Sequence, residues 1–296
     1  MPTVSICIPT YNQTEYLEKT LLSILDQNFT DYEIIITDDS TDDSVEKLIN
    51  KYNFNSKLKY FKNTERLGSP QNWNCAISKA QGKYIKIMHH DEWFNYSDSL
   101  LKFVDLINND NTTDFAFSAV RGFNIEENHK WIHKPTNKQL KELVKNPNIL
   151  FFGNFIGSPS NIIFRNKDIE LFDNNLIWCV DFEFYIRLIT KNNNIGYISE
   201  DLVTSVSSAE HQITTYVVNN KKIQVFEYLY LYNKIKPNIK IIQIGKYITF
   251  IQKLFKKYQI NTITDINECG FYQKLPFIVK FICLINNLKN GFKKVY

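Results

Sequence analysis

VSICIPTYNQTEYLEKTLLSILDQNFTDYEIIITDD, residues 4–39, holds two runs rich in β-branched residues with one amphipathic segment between them. Residues 4–8 and 32–37 have the composition of buried strands, and residues 16–25 repeat their apolar side chains at helical spacing. The pattern continues along the chain: residues 45–52 read as helix before a strand at 58–62, and residues 72–80 as helix before a strand at 84–88. Such alternation predicts an α/β fold made of βαβ units with a mainly parallel sheet flanked by helices. Thr14 is suited to cap the first helix, and Asp43 with Glu46 three residues later matches a capping box for the second. Ligands in open α/β sheets bind beyond the carboxyl ends of the strands. Three polar clusters follow strands here: Thr10, Tyr11 and Asn12; Asp38 and Asp39; Asp91 and Glu92.

Beyond residue 100 the pattern is less regular, with helices expected at 100–108, around Lys141 and Glu142, and at 181–190, and strands at 114–120 and 161–164. After residue 211 the character changes. Ile244, Ile248, Ile251 and Phe255, then Phe277, Ile278, Phe281, Ile282 and Ile285, recur at helical spacing among lysines. This divides the chain into an α/β domain over 1–219 and a helical, basic C-terminal extension over 220–296. From Lys221 onward 14 lysines face three acids (Glu227, Asp265 and Glu268), while the whole chain of 296 residues carries only +4. The front part is therefore acidic. An acidic front with aspartate clusters suits metal and nucleotide chemistry. A basic, aromatic tail suits peripheral contact with an anionic membrane leaflet, or its apolar stripes pack internally while its lysines stay solvated. Nucleic acid is not the expected partner, since the tail has no arginine and no nucleic-acid motif.

The five cysteines are scattered without CxxC spacing, which speaks against a disulfide framework or a structural zinc site and for a reducing, cytoplasmic compartment. No signal peptide is visible at the N-terminus. His89 and His90 are adjacent, and neighbours on a strand point to opposite faces, so one is expected buried and the other in the cleft, with no shared metal.

No GxGxxG and no GxxxxGK[ST] occurs, so the glycine loops that cradle phosphates in dinucleotide-binding and P-loop proteins are missing. Neutralising a diphosphate then falls to a divalent cation held by carboxylate where residues 84–88 run into HHDE, residues 89–92.

Six segments taken in order resemble the inverting glycosyltransferases of family 2, which have the GT-A fold: VSICIPTYN (4–12), EIIITDDSTDD (33–43), NCAISKAQGKYIKIMHHDE (74–92), GSPSNIIF (157–164), WCVDFEFYIRL (178–188) and His211-Gln212. The resemblance implies transfer of a sugar from a nucleoside-diphosphate sugar, UDP- or dTDP-linked, to a hydroxyl of a glycan or lipid-linked acceptor in bacterial surface polysaccharide or lipooligosaccharide synthesis, at the inner face of the cell membrane. It implies a donor nucleotide site of Pro9, Thr10, Tyr11, Asn12, Asp38, Asp39, Asn74 and His90. Asp91 matches the position that binds Mn2+ or Mg2+, His211 a residue near the metal or diphosphate, and Asp181 the catalytic base. Trp93, Ser158, Trp178 and Glu183 fall on the acceptor side or cleft wall. Position 89 is His where the family's DxD motif has its first Asp, and position 92 is Glu where a further Asp is common. A nucleotide-sugar-binding module without turnover and a nucleotidyltransferase are the alternatives from other classes.

Overall fold

The computed structural model describes residues 1–109, 112–168, 171–207 and 213–293, and the chain divides into two compact units. The first comprises Met1–Asn174 and Val180–Gln212, the second Asn175–Cys179 and Ile213–Tyr296.

The first unit alternates strand and helix as its apolar periodicity requires: β1 (Val4–Thr10), α1 (Thr14–Leu25), β2 (Tyr32–Asp38), α2 (Ser44–Ile49), β3 (Leu58–Lys62), α3 (Gln71–Ser78) and β4 (Tyr84–Ile87). Then come β5 (Glu92–Phe94), α4 (Ser99–Asn108), β6 (Phe115–Asn124), β7 (His129–His133), α5 (Asn137–Lys145), β8 (Ile162–Arg165), α6 (Val180–Lys191) and β9 (Ile195–Ser207). They form one sheet in the order β3-β2-β1-β4-β8-β6-β9-β5, with β7 on β6. Pairing is parallel across β3-β2-β1-β4 and between β6 and β9, but β8 runs antiparallel to β4 and β6, and β5 antiparallel to β9. Every residue of β1 and β2 is buried, as expected where a sheet is covered on both faces. Leu17, Leu21 and Ile24 of α1 and Leu100, Phe103 and Ile107 of α4 share a core with Ile6, Ile8, Ile34 and Ile36.

Two capping expectations are corrected. The residue before α1 is Gln13, without a side-chain cap, and Thr14 is already helical. Asp43 precedes α2 but makes no capping bond. Its carboxylate is bound to Lys47 at 2.9 Å, and Asp42 takes the Ser44 N–H instead.

The second unit is helical: α7 (Ile213–Val217), α8 (Lys221–Ile235), α9 (Ile244–Tyr258), α10 (Ile263–Glu268) and α11 (Phe277–Lys293). Its core gathers Val225, Leu229, Tyr247, Ile251, Phe255, Phe271, Val279 and Ile282. Within this unit α7 is tied to α8: the Val217 carbonyl accepts from Asn220 N and Gln224 Nε2. Residues 175–179 join this unit because the buried Glu227 carboxylate receives the N–H groups of Ile177, Trp178 and Cys179 at 2.9, 2.9 and 2.8 Å. Among the described residues no helix is long and apolar enough to cross a membrane.

Candidate active site

Parallel pairing brings three strand ends to one edge of the first unit. Thr10 of β1 stands opposite Asp38 of β2, and Cys7 opposite Ile87 of β4, so residues 9–12, 38–40 and 88–91 follow from neighbouring strands. The His90 Nδ1 lies 3.3 Å from the Pro9 carbonyl, and the Asn12 N–H donates to Ser40 Oγ at 2.8 Å. Asn12 has φ +51° and returns its Oδ1 to the Thr41 N–H; asparagine tolerates this left-handed conformation better than most residues.

The two acids at the end of β2 are both heavily bonded. Asp38 is fully buried, and its carboxylate accepts from Thr10 Oγ1 (3.0 Å), Ser40 N (2.8 Å), Ser40 Oγ (2.5 Å), Tyr60 OH (2.8 Å) and Lys62 Nζ (3.0 Å). Burial alone would raise its pKa, but the bonds from Ser40, Tyr60 and Lys62 outweigh burial and hold it below its ordinary value. Asp38 and the equally buried Thr10 therefore brace the ends of β1 and β2 against each other. Asp39 takes Asn63 Nδ2 and the N–H groups of Leu67 and Gly68, which shapes the loop at 63–68. That loop carries Arg66, whose guanidinium lies 4.0 Å from the centre of the Tyr11 ring. Arg66 was not expected from the sequence, where nothing about its spacing marks it.

Asn74 is not brought to this cluster. Its amide spans the Phe172 N–H and carbonyl and Asn174 Oδ1, bracing the segment at 172–174. The neighbour that does reach the strand ends is Asn72, which donates to the carbonyls of Thr10 and Thr37 and accepts from Asn63 through Oδ1.

β4 ends at Ile87, so the strand alternation expected of His89 and His90 does not hold, and both are half-buried. His89 packs on Trp73 at 4.8 Å between ring centres and has Nδ1 3.6 Å from Glu92 Oε2. Glu92 is almost fully buried, with Ser158 Oγ donating to Oε2 at 3.0 Å and Ser205 Oγ to Oε1. Ser158 thus supports Glu92. Trp93, half-buried, has the Lys19 ammonium 3.5 Å from its ring centre. Beneath lies Lys86, wholly buried between the rings of Phe94 and Phe103 and donating to the carbonyls of Ser160 and Ile87. Burial pushes its ammonium down to about 7, against the opposing field of Glu92.

Asp91 is a buried carboxylate at this edge, within electrostatic range of Tyr16. Among the described residues no three His, Cys, Asp or Glu side chains gather into a metal cage. A hard cation such as Mg2+ or Mn2+ needs only one or two carboxylates when substrate phosphates complete its shell. His211 lies outside the described residues.

Asp181 opens α6, and its Oδ1 is buried without a hydrogen-bond partner. Burial, with the field of Glu92 second, pushes its carboxyl up to about 8. The next turn is anchored by Tyr185, whose hydroxyl donates to the Gly157 carbonyl at 3.1 Å. Gly157 has φ +103°, a backbone conformation that strains any side chain. Glu183 is paired within its own helix. It is buried and bonded to Arg187 at 2.8 and 3.1 Å, so its carboxylate is already committed within α6. Trp178 belongs to the second unit, where its N–H is held by Glu227.

The profile of the family described as "Glycosyl transferase family 2" matches residues 5–172. An uncharacterized glycosyltransferase of Methanocaldococcus jannaschii is 30% identical over 209 residues, 68% of this chain and 70% of the relative. The GalNAc(5)-diNAcBac-PP-undecaprenol beta-1,3-glucosyltransferase of Campylobacter jejuni is 33% identical over 94 residues, 31% of this chain and 30% of the relative. The crystal structure of S. aureus TarS 1-349 in complex with UDP-GlcNAc superposes with a TM-score of 0.57 at 20% identity, covering 86% of this chain and 81% of that one. With the family matched over more than half its length on a GT-A fold, the chain is a glycosyltransferase of family 2.

Proposed function

We propose that the chain is an inverting, metal-dependent transferase moving a sugar from a UDP- or dTDP-linked donor to a hydroxyl of a growing glycan, in bacterial surface polysaccharide or lipooligosaccharide synthesis. The observation that carries this reading is Asp181: an otherwise helical and well-bonded segment keeps one carboxylate oxygen buried and unpartnered, with its pKa raised to about 8. A structural carboxylate in such a position would leave a desolvated acceptor unsatisfied. A base needs that free oxygen and a pKa near the working pH.

In the step this supports, Asp181 takes the proton of the acceptor hydroxyl. The acceptor oxygen attacks the anomeric carbon from the face opposite the leaving group, and the bond from that carbon to the diphosphate oxygen breaks with its electron pair going to the diphosphate. Configuration inverts. A divalent cation held by Asp91, with His211 as a further neighbour, would supply charge neutralisation at the departing diphosphate. In this reading Tyr11, Asn12, His90 and Asp39 would meet the nucleotide and Trp93 the acceptor, with the Arg66 cation on the Tyr11 ring. The UDP-GlcNAc complex of the structurally similar S. aureus TarS and the undecaprenol-diphosphate glycan named for the C. jejuni relative support the donor and a lipid-linked acceptor. A cytoplasmic location at the inner face of the membrane goes with this, supported by five free cysteines. The test is a paired one: donor binding by thermal shift with nucleotide sugars and Mn2+, and release of the nucleoside diphosphate by wild type and Asp181→Asn. Binding without any release by wild type, across donors and acceptors, would leave a binder in place of an enzyme.

A further inference from the structure

α11 is apolar on two faces. Val279, Ile282 and Cys283 are buried within the second unit, whereas Phe277 (83% exposed), Phe281 (51%) and Leu284 (57%) form a separate stripe open to solvent. The spacing of four and three residues puts these three on one face, and the Phe277 and Phe281 rings are stacked with centres 6.4 Å apart. At the foot of the stripe lies a pocket of about 360 Å³ whose lining includes Tyr232, Lys236, Lys274, Pro276 and Phe277. Lys236, Lys274 and Lys280 are exposed. Among the described residues none of the three forms an ion pair; Lys236 donates only to Asn233 Oδ1, at 3.1 Å.

We propose that this face is a docking surface for an anionic lipid leaflet, with Phe277, Phe281 and Leu284 entering the acyl boundary while Lys236 and Lys274 hold a lipid phosphate in the pocket and Lys280 faces the headgroups. Apolar residues flanked by lysines are the arrangement of interfacial helices. The charge decides the occupant. The chain from Lys221 on carries 14 lysines against three acids, which complements a negative leaflet. A second copy would bring the same lysines against each other, and like charges across a contact are unfavourable. The surface stands independently of the donor chemistry, so either reading can fail alone.

The experiment is sedimentation of the full chain with vesicles of phosphatidylcholine alone or mixed with phosphatidylglycerol, beside light scattering without lipid. Wild type is expected to bind the mixed vesicles, to bind neutral ones far less, and to be released as salt is raised. Lys236→Gln with Lys274→Gln should weaken binding roughly fivefold per lysine. Phe277→Ser with Phe281→Ser should lose most of it while thermal midpoint and donor hydrolysis stay unchanged. Equal binding to both vesicle types, no binding to either, wild-type binding by the phenylalanine variant, or a dimer in light scattering that the same variant dissociates would each overturn the proposal.

Discussion

Asp38 is a buried carboxylate and Asp181 buries its Oδ1, both in the first unit, and they titrate in opposite directions. The end of β2 gives Asp38 five donors, one of them an ammonium, so its charge is stabilised below the ordinary range. The start of α6 leaves one Asp181 oxygen without a donor and sets Glu92 within its field, so its charge is opposed and its pKa rises to about 8. Burial is common to both and cannot explain the difference; the number of donors does. A saturated carboxylate holds a fold together. An unsaturated one is available for chemistry.

The contrast is broken most severely at Asp181. Asp181→Asn should lower transfer by about 10²–10⁴-fold, the usual worth of a general base, with donor affinity by thermal shift unchanged; loss of donor binding in proportion would remove the assigned role. In wild type the base must be ionised, so kcat/KM should rise with pH along a limb centred near 8, and Glu92→Gln should move that limb to lower pH. Stability has the opposite sign. Because the folded pKa is raised, the contribution of Asp181 is full below the unfolded value of about 4 and is lost as pH climbs to about 8. Urea midpoints of wild type should fall across that window relative to Asp181→Asn. The next largest effect is expected from the cation: chelation, or Asp91→Asn, should reduce transfer by about 10²-fold, on the scale of a lost electrostatic contact at the leaving group. Transfer unaffected by chelator and by Asp91→Asn would refute metal dependence.

Asp38 breaks in the other currency, stability. Asp38→Ala leaves the buried Ser40 N–H and Thr10 hydroxyl and the Tyr60 hydroxyl without their acceptor, at about 1–3 kcal/mol for each buried group, so the thermal midpoint should drop by several degrees. Its pKa is depressed, so the stabilisation is present above the unfolded value near 4 and disappears as pH falls through the lower folded value. An unchanged acid transition in Asp38→Asn would contradict this assignment.

How far the sequence carries these distinctions follows from their range. Strand and helix periods are local, and residues 58–62 emerge as β3 where the pattern puts them. That Glu183 is spent on Arg187 was also legible, since the two stand four apart on a helix. The saturation of Asp38 was not, because Thr10, Tyr60 and Lys62 reach it from other strands in a register that only tertiary pairing sets. The same holds for Asn74: rotation about the helix axis turns Asn72, two positions earlier, to the strand ends while Asn74 meets Phe172. The second face of α11 was hidden for a different reason, since apolar spacing reports a stripe and not which stripe is covered.

Arg66 offers the finest test of the donor corner. Its guanidinium sits over Tyr11 on a loop whose shape depends on Asp39 accepting the Leu67 and Gly68 N–H groups. An exposed cation–π contact is worth about 0.5–1 kcal/mol, so Arg66→Ala should raise the donor KM only about three- to fivefold, and kcat should hold. Asp39→Asn keeps an oxygen for one N–H but loses the carboxylate's pair of acceptors, so it should disturb the loop and raise KM further than Arg66→Ala. If the loop borders the nucleotide, the two changes are coupled, and the double variant should fall short of the product of the singles. Full additivity would mean that Asp39 reaches the donor by itself, and the division between bracing and binding carboxylates would then pass between Asp38 and Asp39 in place of setting both against Asp181.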